Sequence, residues 1–390
     1  MSMEEVRKGY KKTDIGVIPE DWEVKEIGSL LKIGNGRDYK HLHWGDVPVF
    51  GTGGLITYVD DCLYDGDTVC IGRKGTIDKP LFHSGKLWTV DTLFYTYSFN
   101  DCVPKFIFYL FNTIAWREYN EATGVPSLSQ NIISKINVGI PKLIKEQTAI
   151  ATALSDMDSL ISALNKKIVK KRAIKQGLMQ QLLTGKKRLP GFSEEWCKDE
   201  FSKLANILRG GSPRPIEQYI VKTGGVNWIK IGDVERGAKY ICRTKEQIHK
   251  SGIIHSRYVY EGDLLLSNSM SFGRPYILKT EGCIHDGWLV IQDYARNFDK
   301  EFLYYLLSSE DVFRQYVSLA AGSSVLNLNK EIVGKVVLKY PQSLSEQTAI
   351  ATILSDCDKE ISSLEEKRDK YQELKQGMMQ QLLTGKIRLV

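Results

Sequence analysis

Residues 146–189 read EQTAIATALSDMDSLISALNKKIVKKRAIKQGLMQQLLTGKKRL, and residues 346–389 read EQTAIATILSDCDKEISSLEEKRDKYQELKQGMMQQLLTGKIRL. The two copies lie 200 residues apart throughout, without a gap, and 29 of their 44 positions are identical. Identity of this extent indicates an internal repeat, which decides the architecture before any local pattern does. The chain therefore consists of two tandem units.

Weaker matches precede each copy, and the distance between matched residues grows along the chain. Trp22 matches Trp196 at an offset of 174, and Pro141 matches Pro341 at an offset of 200. The second unit therefore carries insertions, and each unit is a variable domain followed by a near-invariant segment. Because the N-terminal segment resembles the lead-in to the second unit, we expect the chain ends to lie close together and a pseudo-two-fold axis to relate the halves.

The repeated segments carry the pattern of long helices that pack through one apolar seam. Apolar residues recur at alternating spacings of three and four, which is the a/d pattern of a coiled coil. From Thr148 to Thr184 a helix would be about 55 Å long, and a single apolar stripe makes it dependent on a partner. We therefore predict that the two copies pair as an antiparallel coiled coil, whereas two unrelated surface helices would not explain the gapless repeat. The seam residues, which are also candidates for partner docking, are Leu154, Met157, Ile161, Leu164, Ile168, Leu354, Cys357, Ile361, Leu364, Tyr371 and Met378.

Residues at the ends of these segments predict where the helices start and stop. Gly185 and Gly385 follow the last apolar residues and are typical of a helix C-terminus. Ser343 and Glu346 have the spacing of a capping box at the start of the second helix.

Composition and length describe an ordinary globular protein. The chain has 390 residues, of which 42% are hydrophobic and 26% are charged, and its net charge is +6. No apolar run approaches the ~20 residues that cross a bilayer, and the first residues lack a signal-peptide core, so we expect a cytoplasmic protein. Seven cysteines without a CxxC pair favour neither a disulfide framework nor a zinc site.

The net charge is concentrated on the first repeated segment. Residues 146–190 hold nine basic and three acidic residues, whereas residues 346–390 hold seven basic and eight acidic ones. One helix face collects five lysines that could meet phosphate groups or an acidic partner, or remain solvated. These are Lys166, Lys167, Lys170, Lys171 and Lys175.

Each variable domain reads as a mixture of strands and helices. Short apolar runs bounded by turn residues predict strands, and amphipathic patterns predict helices over 105–121 and 301–317. The predicted strands are 46–50, 67–71, 87–92, 226–231, 263–266 and 289–292.

The loops of both domains are rich in glycine and in side chains suited to nucleic acid. Arg can contact guanine O6 and N7, Asn and Gln can contact adenine, and Ser can contact either, while glycine lets the backbone approach phosphate. A solvent-exposed turn is the alternative for any single residue. The candidate DNA-binding residues are Asn35, Arg37, Lys40, Arg73, Lys74, Ser127, Gln130, Arg209, Ser212, Arg214, Asn268, Ser269, Arg274, Asn327 and Asn329.

Motifs of catalysis are missing from the sequence. It contains no G-x-x-x-x-G-K-[S/T] loop, no complete dinucleotide fingerprint, no G-x-S-x-G elbow and no Asn/Asp-Pro-Pro-aromatic tetrapeptide. We therefore predict a binding protein with no catalytic residue, no metal ligand and no cofactor of its own.

These features together make the sequence resemble the specificity subunit of type I restriction–modification enzymes. The resemblance rests on Ile15-Gly16-Val17-Ile18-Pro19-Glu20-Asp21-Trp22, on Glu-Gln-x-Ala-Ile-Ala at 146 and 346, and on Gln-Gln-Leu-Leu-Thr-Gly-Lys at 180 and 380. It covers nearly the whole chain.

The resemblance implies an α+β fold in which two globular target-recognition domains of mixed α/β structure are joined by two long antiparallel helices, as a pseudo-two-fold tandem repeat. Its expected segments are target-recognition domain 1 (1–145), spacer helix 1 (146–185), target-recognition domain 2 (186–345) and spacer helix 2 (346–390).

The resemblance also implies the function and the partners. Each domain would read one half of a split, asymmetric target in double-stranded DNA, and the helices would space the halves and dock two modification subunits that methylate adenine N6. S-adenosylmethionine, ATP and magnesium would then belong to the modification and restriction subunits of a DNA methylation and restriction complex. A coiled-coil scaffold without DNA readout is the rival interpretation, and a self-sufficient nuclease is a more distant one.

Overall fold

A computed structural model describes residues 8–235, 237–268, 271–321 and 327–389. The described chain forms two compact units, and the boundary between them falls within both repeated segments. The first unit runs up to Lys166 and resumes at Glu365, and the second comprises Lys167–Leu364. Each unit therefore contains one variable domain together with parts of both repeated segments.

The domain of the first unit is built on two four-stranded sheets and two strand pairs. Their strand orders are β6-β5-β10-β7 and β4-β11-β8-β9, with the pairs β1-β2 and β3-β12. The elements are β1 (Tyr10–Thr13), β2 (Gly16–Pro19), β3 (Trp22–Glu26), α1 (Ile27–Leu30), β4 (Lys32–Asn35), β5 (Val47–Gly51), β6 (Gly54–Val59), β7 (Tyr64–Asp65), β8 (Thr68–Gly72), β9 (Leu81–His83), β10 (Lys86–Thr89), β11 (Leu93–Tyr97), α2 (Pro104–Phe111), α3 (Gln130–Ser134) and β12 (Asn137–Pro141), followed by the long helix α4 (Ile144–Leu182).

The domain of the second unit enlarges the same plan to two five-stranded sheets. Their strand orders are β14-β23-β20-β21-β17 and β15-β18-β16-β22-β19, with the pair β13-β24. The elements are β13 (Trp196–Glu200), α5 (Phe201–Leu204), β14 (Asn206–Arg209), β15 (Ile220–Val221), β16 (Val226–Ile229), β17 (Tyr240–Ile241), β18 (Glu246–Ile248), β19 (Arg257–Val259), β20 (Leu264–Ser267), β21 (Pro275–Leu278), β22 (Gly282–Ile284), β23 (Trp288–Gln292), α6 (Lys300–Leu307), α7 (Glu310–Ala320), α8 (Lys330–Gly334) and β24 (Val337–Pro341), followed by α9 (Leu344–Leu382).

The weak sequence matches between the domains correspond to equivalent strand pairs. In the first unit Trp22 lies opposite Pro141 on β3-β12, and in the second Trp196 lies opposite Pro341 on β13-β24. The six predicted strands are present, although β10 ends at Thr89 and β16 at Ile229, three and two residues early. The mixed α+β class is confirmed.

The two amphipathic helices are shorter than the sequence predicts. In the first unit α2 ends at Phe111, and only a 3-10 turn follows at Trp116–Tyr119. In the second, α6 and α7 are separate helices, because the Ser309 hydroxyl accepts a hydrogen bond from Val312 N and begins a new helix. Side-chain capping of this kind competes with continuation of a helix.

The long helices are 39 residues each, and the second begins directly after Ser343, where the predicted cap places its start. Both glycine stops are confirmed, with φ of +70° at Gly185 and +69° at Gly385. The capping box is only half formed. The Ser343 hydroxyl accepts from Glu346 N at 3.4 Å, but the Glu346 carboxylate binds Arg188 instead of turning back to the cap.

Within each unit the start of one long helix packs against the end of the other, in antiparallel orientation. In the first unit, Asp158 accepts from Lys375 Nζ at 2.6 Å and from Tyr109 Oη at 2.7 Å. In the second unit, the equivalent Asp358 accepts from Lys175 Nζ and, at 2.6 Å, from Tyr305 Oη. In both units, therefore, an aspartate of one long helix binds a lysine of the other long helix and a tyrosine of the domain.

A buried glutamate anchors the start of each long helix to an arginine beyond the end of the other. Glu146 and Glu346 are each 1% exposed. In the first unit Arg388 Nη2 donates to Glu146 Oε2 at 2.7 Å. In the second unit Arg188 Nη2 donates to Glu346 Oε2 at 2.8 Å. A buried carboxylate requires such a partner, because an unpaired buried charge is costly.

The glutamine that follows each glutamate attaches the helix to its own domain. Gln147 accepts from Val103 N and donates to Pro141 O, at 2.8 and 2.9 Å. Gln347 accepts from Asp299 N and donates to Pro341 O, both at 2.8 Å. Both side chains are fully buried, and their amide oxygen and nitrogen are both hydrogen-bonded.

These contacts explain how identity is distributed within the repeat. Residues 146–158 share 11 of 13 positions with the second copy, and residues 175–189 share 13 of 15, but residues 159–174 share only 5 of 16. The identical ends are the parts that contact the domains, whereas the middle needs only apolar residues on its seam.

The seam residues face inward, as the a/d pattern predicts. Leu154 belongs to the core of the first unit, and Leu354 to that of the second. None of the eleven is exposed: Leu154, Leu164, Ile168, Leu354 and Ile361 are buried, and Met157, Ile161, Cys357, Leu364, Tyr371 and Met378 are half-buried.

In the part of the chain that the structure describes, no helix is both long enough and apolar enough to span a membrane.

Replacing Arg388 by alanine should lower the free energy of unfolding of the first unit by about 3 kcal/mol, because it leaves Glu146 buried without a partner. Chemical denaturation with a probe in each unit measures this. Lys386→Ala, which removes an exposed side chain two residues away, is the control and should be near neutral.

The double variant Glu146→Gln with Arg388→Met should recover most of the loss, because neutral groups need no ion partner. Equal stability of Arg388→Ala and Lys386→Ala would contradict the anchoring role.

Candidate nucleic-acid interface

Three loops of the first domain meet at the connection between β10 and β11. In the loop after β4, Arg37 N donates to Thr89 O at 2.8 Å. In the loop after β8, Arg73 N donates to Thr92 O, also at 2.8 Å. The loop before α3 joins them, since Leu128 N donates to Arg73 O at 2.9 Å.

The same three loops meet in the second domain, at the connection between β22 and β23. Gly210 N, after β14, donates to Trp288 O at 2.9 Å, and Asn268 N, after β20, donates to Gly287 O at 3.0 Å. Leu328 N donates to Asn268 O at 2.9 Å, as Leu128 N does to Arg73 O. The loops that carry the described candidate residues, although scattered in sequence, therefore meet at one connection in each domain, and we call each set of loops a loop cluster.

Close backbone approach explains the glycine in the first loop of each cluster. A Cβ atom at Gly36 would lie 1.9 Å from Val90 O, and one at Gly210 would lie 2.3 Å from His285 O. No side chain fits at these distances, so glycine lets the loop lie directly on the connection.

The loop cluster of the first domain presents mostly exposed, positively charged side chains. Arg37, Lys40 and Lys74 are exposed, as is Asn35 at the end of β4. Arg73 is half-buried: its guanidinium lies 5.8 Å from the centre of the Phe94 ring, and Nη1 donates to Asp91 O at 3.4 Å.

The loop cluster of the second domain is organised around Asp286. Its carboxylate accepts from Ser212 Oγ at 3.0 Å and from Arg214 Nη2 at 3.4 Å. His285 Nε2 lies 2.9 Å from the same carboxylate. The backbone carbonyl of Asp286 accepts from Arg209 Nε at 3.2 Å and from Asn268 Nδ2 at 2.9 Å.

The surroundings of Asp286 keep it ionised. Partial burial acts to raise the pKa of its carboxyl, but the Ser212 hydrogen bond and the nearby His285, Arg209 and Arg214 groups outweigh burial and lower it. The carboxylate is therefore available as an acceptor for cationic side chains at neutral pH.

A cleft of about 690 Å³ opens beside this cluster. Pro213, Pro215, Ile216 and Trp228 contribute apolar surface to it, and Asp286 lies at its polar side. The second loop cluster therefore borders a recess with a mixed apolar and polar lining.

Several candidates have side chains that are used inside the protein. Gln130 Nε2 donates to Ile33 O at 2.9 Å, Asn329 Oδ1 accepts from Ile332 N at 2.7 Å to cap α8, and Asn268 is only 3% exposed. These three residues support the loops that carry the exposed candidates. Ser127 is half-buried, and its backbone forms an isolated antiparallel β-bridge with the backbone of Lys74.

Four candidates of the second domain have exposed side chains. Arg209, Arg214, Arg274 and Asn327 are exposed, and Arg274 N donates to the Ser267 hydroxyl at 3.2 Å. Ser269 lies outside the described residues.

Sequence reasoning missed Asp286 and His285, which hold the second cluster together. Their signal was available, because His285-Asp286-Gly287 is a turn directly before β23. Selection by residue types that contact bases favoured Arg, Asn and Ser and passed over a carboxylate.

The lysine face of the first repeated segment divides into two groups. Lys171 pairs with Glu360 at 2.7 Å, and Lys175 pairs with Asp358, so α9 supplies the acidic partner of both. Lys166, Lys167 and Lys170 are exposed.

In the described ranges, no group of three or more His, Cys, Asp or Glu side chains could hold a metal ion.

Comparison with known proteins places this architecture in a family. The chain belongs to the type I restriction–modification DNA specificity domain family, whose pattern matches residues 19–171 and again residues 193–376. The resemblance inferred from the sequence is therefore confirmed, and with it a tandem fold whose function is recognition of a DNA target.

Relatives match over nearly their full length. The putative type I restriction enzyme MjaX specificity subunit of Methanocaldococcus jannaschii is 27% identical, over 98% of this chain and 97% of its own. The MjaVIII specificity subunit of the same organism is 25% identical, over 95% and 94%. The crystal structure of the type I S subunit from M. genitalium shares the fold, with a TM-score of 0.65 at 14% identity, over 93% of this chain and 96% of that one.

Replacing Gly36 by alanine should disturb the first loop cluster, because its Cβ would collide with Val90 O. We expect a loss of about 1–3 kcal/mol in the free energy of unfolding, typical of overpacking. Gly53→Ala is the control, since a Cβ there meets no atom within 4 Å. Thermal unfolding of both variants measures the difference, and equal melting temperatures would show that the loop does not depend on this close approach.

Proposed function

We propose that this chain is the non-catalytic specificity subunit of a multi-subunit type I restriction–modification complex, in which each domain reads one half of a split, asymmetric DNA target. The family shows that the chain recognises DNA, which removes the scaffold without DNA readout. The division of labour between the domains is the part that we propose.

One observation carries the proposal: the two domains hold equivalent loop clusters that bear different side chains. Lys and Arg dominate the first cluster, whereas an Asp286 network dominates the second. Equivalent frameworks with different base-edge chemistry should read different sequences. The target should therefore have two unlike halves.

The proposed partners carry the chemistry. We infer that two modification subunits dock on this chain and methylate adenine N6, and that restriction subunits join them. S-adenosylmethionine, ATP and magnesium would then be bound by those subunits. Cytoplasmic location follows from this role, because the DNA target lies there.

Exposed apolar side chains on the long helices are better docking candidates than the seam residues. The seam is turned inward, whereas Val169 is 66% exposed and Leu374 is 51% exposed. Leu160 and Ile174 are exposed as well, at 37% and 42%. Apolar groups left in water on a helix are typical of surfaces that a partner covers.

Exchanging residues 20–140 for the same segment of a relative with a different target should change one half-site and leave the other intact. The exchange replaces the first loop cluster and keeps the second. Methylome sequencing of cells that express the chimaera together with the modification subunits gives the new target. Exchange of residues 196–341 is the reciprocal control. A change in both halves after either exchange would contradict independent reading.

The substitution Val169→Glu should weaken capture of the modification subunits about tenfold or more, because it places a charge on a surface that the partner would desolvate. Co-purification at graded subunit concentration measures this. Val317→Glu is the matched control, since Val317 is an exposed valine on α7 of the same unit. Equal capture by both variants would exclude this docking surface.

A further inference from the structure

We propose that Asp286 is a positioning residue that orients Arg214 to read a guanine in the half-site of the second domain. This inference rests on the proposed function, since it assigns one base contact to one of the two reading clusters. It identifies a specificity-determining pair, Arg214 and Asp286, in which only the arginine touches DNA.

The Arg214 guanidinium makes one long hydrogen bond to the protein, and most of the side chain is exposed. Arg214 Nη2 donates to Asp286 Oδ2 at 3.4 Å, while the Arg214 side chain is 81% exposed. Ser212 holds the other carboxylate oxygen at 3.0 Å. Ser212 therefore holds the carboxylate in place, and the edge of the Arg214 guanidinium that does not contact Asp286 is open to solvent.

Guanine is the base that matches this free edge. Its O6 and N7 atoms accept two parallel hydrogen bonds from a guanidinium in the major groove. An exposed arginine loses rotamer freedom on binding, and a carboxylate that restrains it beforehand reduces that cost. The pairing also favours a planar, bidentate contact over a diffuse phosphate contact, which lysine would serve equally well.

The first domain lacks this arrangement. Counting on from the matched glycines Gly36 and Gly210, Lys40 occupies the position of Arg214, and Asp38 that of Ser212. Asp91, which precedes β11 as Asp286 precedes β23, is exposed. Among the described residues its carboxylate has no hydrogen-bond or ion-pair partner. The effect of changing the pair should therefore be confined to one half-site.

The test uses the complex of this chain with its modification subunits and a duplex library in which the half-site of the second domain is randomised. Methylated molecules are sequenced to give the base preference at each position. Arg214→Lys should lower the preference for one guanine about tenfold, since lysine keeps the charge but loses the bidentate contact. Asp286→Asn should lower the preference for the same guanine, and the double variant should do no more than Arg214→Lys alone.

Asp91→Asn is the matched control and should leave that position unchanged. The inference is overturned if Asp286→Asn lowers methylation of all sequences alike, or if the two single variants relax different positions. A wild-type complex without any base preference in this half-site would instead refute the proposed function. Melting temperatures check folding, and if Asp286→Asn is unfolded, an unaltered guanine preference in Arg214→Lys overturns the inference by itself.

Discussion

The pairing of a buried glutamate with an arginine from a distant part of the chain is the constraint on which each unit depends. Glu146 stands at the start of α4 and Arg388 beyond the end of α9, and Glu346 and Arg188 repeat the relation in the second unit. Neither glutamate can be buried as an ion without its arginine. Each unit is therefore complete only when segments far apart in sequence have come together. This requirement explains why the two copies of the repeat are most alike at their ends.

The same constraint leaves the loops free to differ. The buried contacts of Gln147 and Gln347 and the strand pairs beside them hold each domain on its helix. The loop clusters lie elsewhere in each domain. Backbone hydrogen bonds, which tolerate changes of side chain, join the loops of both clusters, and the Asp286 network adds side-chain contacts in the second. A framework of this kind can keep its fold while the side chains on its loops differ, as Lys40 and Arg214 do at equivalent positions.

Sequence reasoning found the parts of the fold that periodicity and repetition control. The helix seam, the glycine stops and the six strands follow from local patterns. It was wrong where a second interaction competes with the local pattern. Glu346 has the spacing of a capping box, but its carboxylate binds Arg188. The amphipathic pattern over 301–317 is continuous, but the Ser309 cap divides it into two helices. The candidate residues were placed in two clusters only by the structure, because backbone contacts between loops far apart in sequence leave no periodic trace. Asp286 was missed because a carboxylate is not a residue type that contacts guanine or adenine, and the partners that reveal its role lie up to 77 residues away.

Ion pairs between the two long helices reduce the positive charge that the first long helix could offer to DNA. The basic excess on the first long helix suggested a surface for phosphate, but Lys171 and Lys175 are matched by carboxylates of α9. The loop clusters keep exposed cations, of which Arg214 is partly neutralised by Asp286. Because DNA affinity rises with the number of phosphates that cations neutralise, lysines paired with carboxylates of the same chain add less to affinity than free ones. We infer that most of the phosphate contacts come from the partner subunits, so that specificity and affinity reside in different chains of the complex.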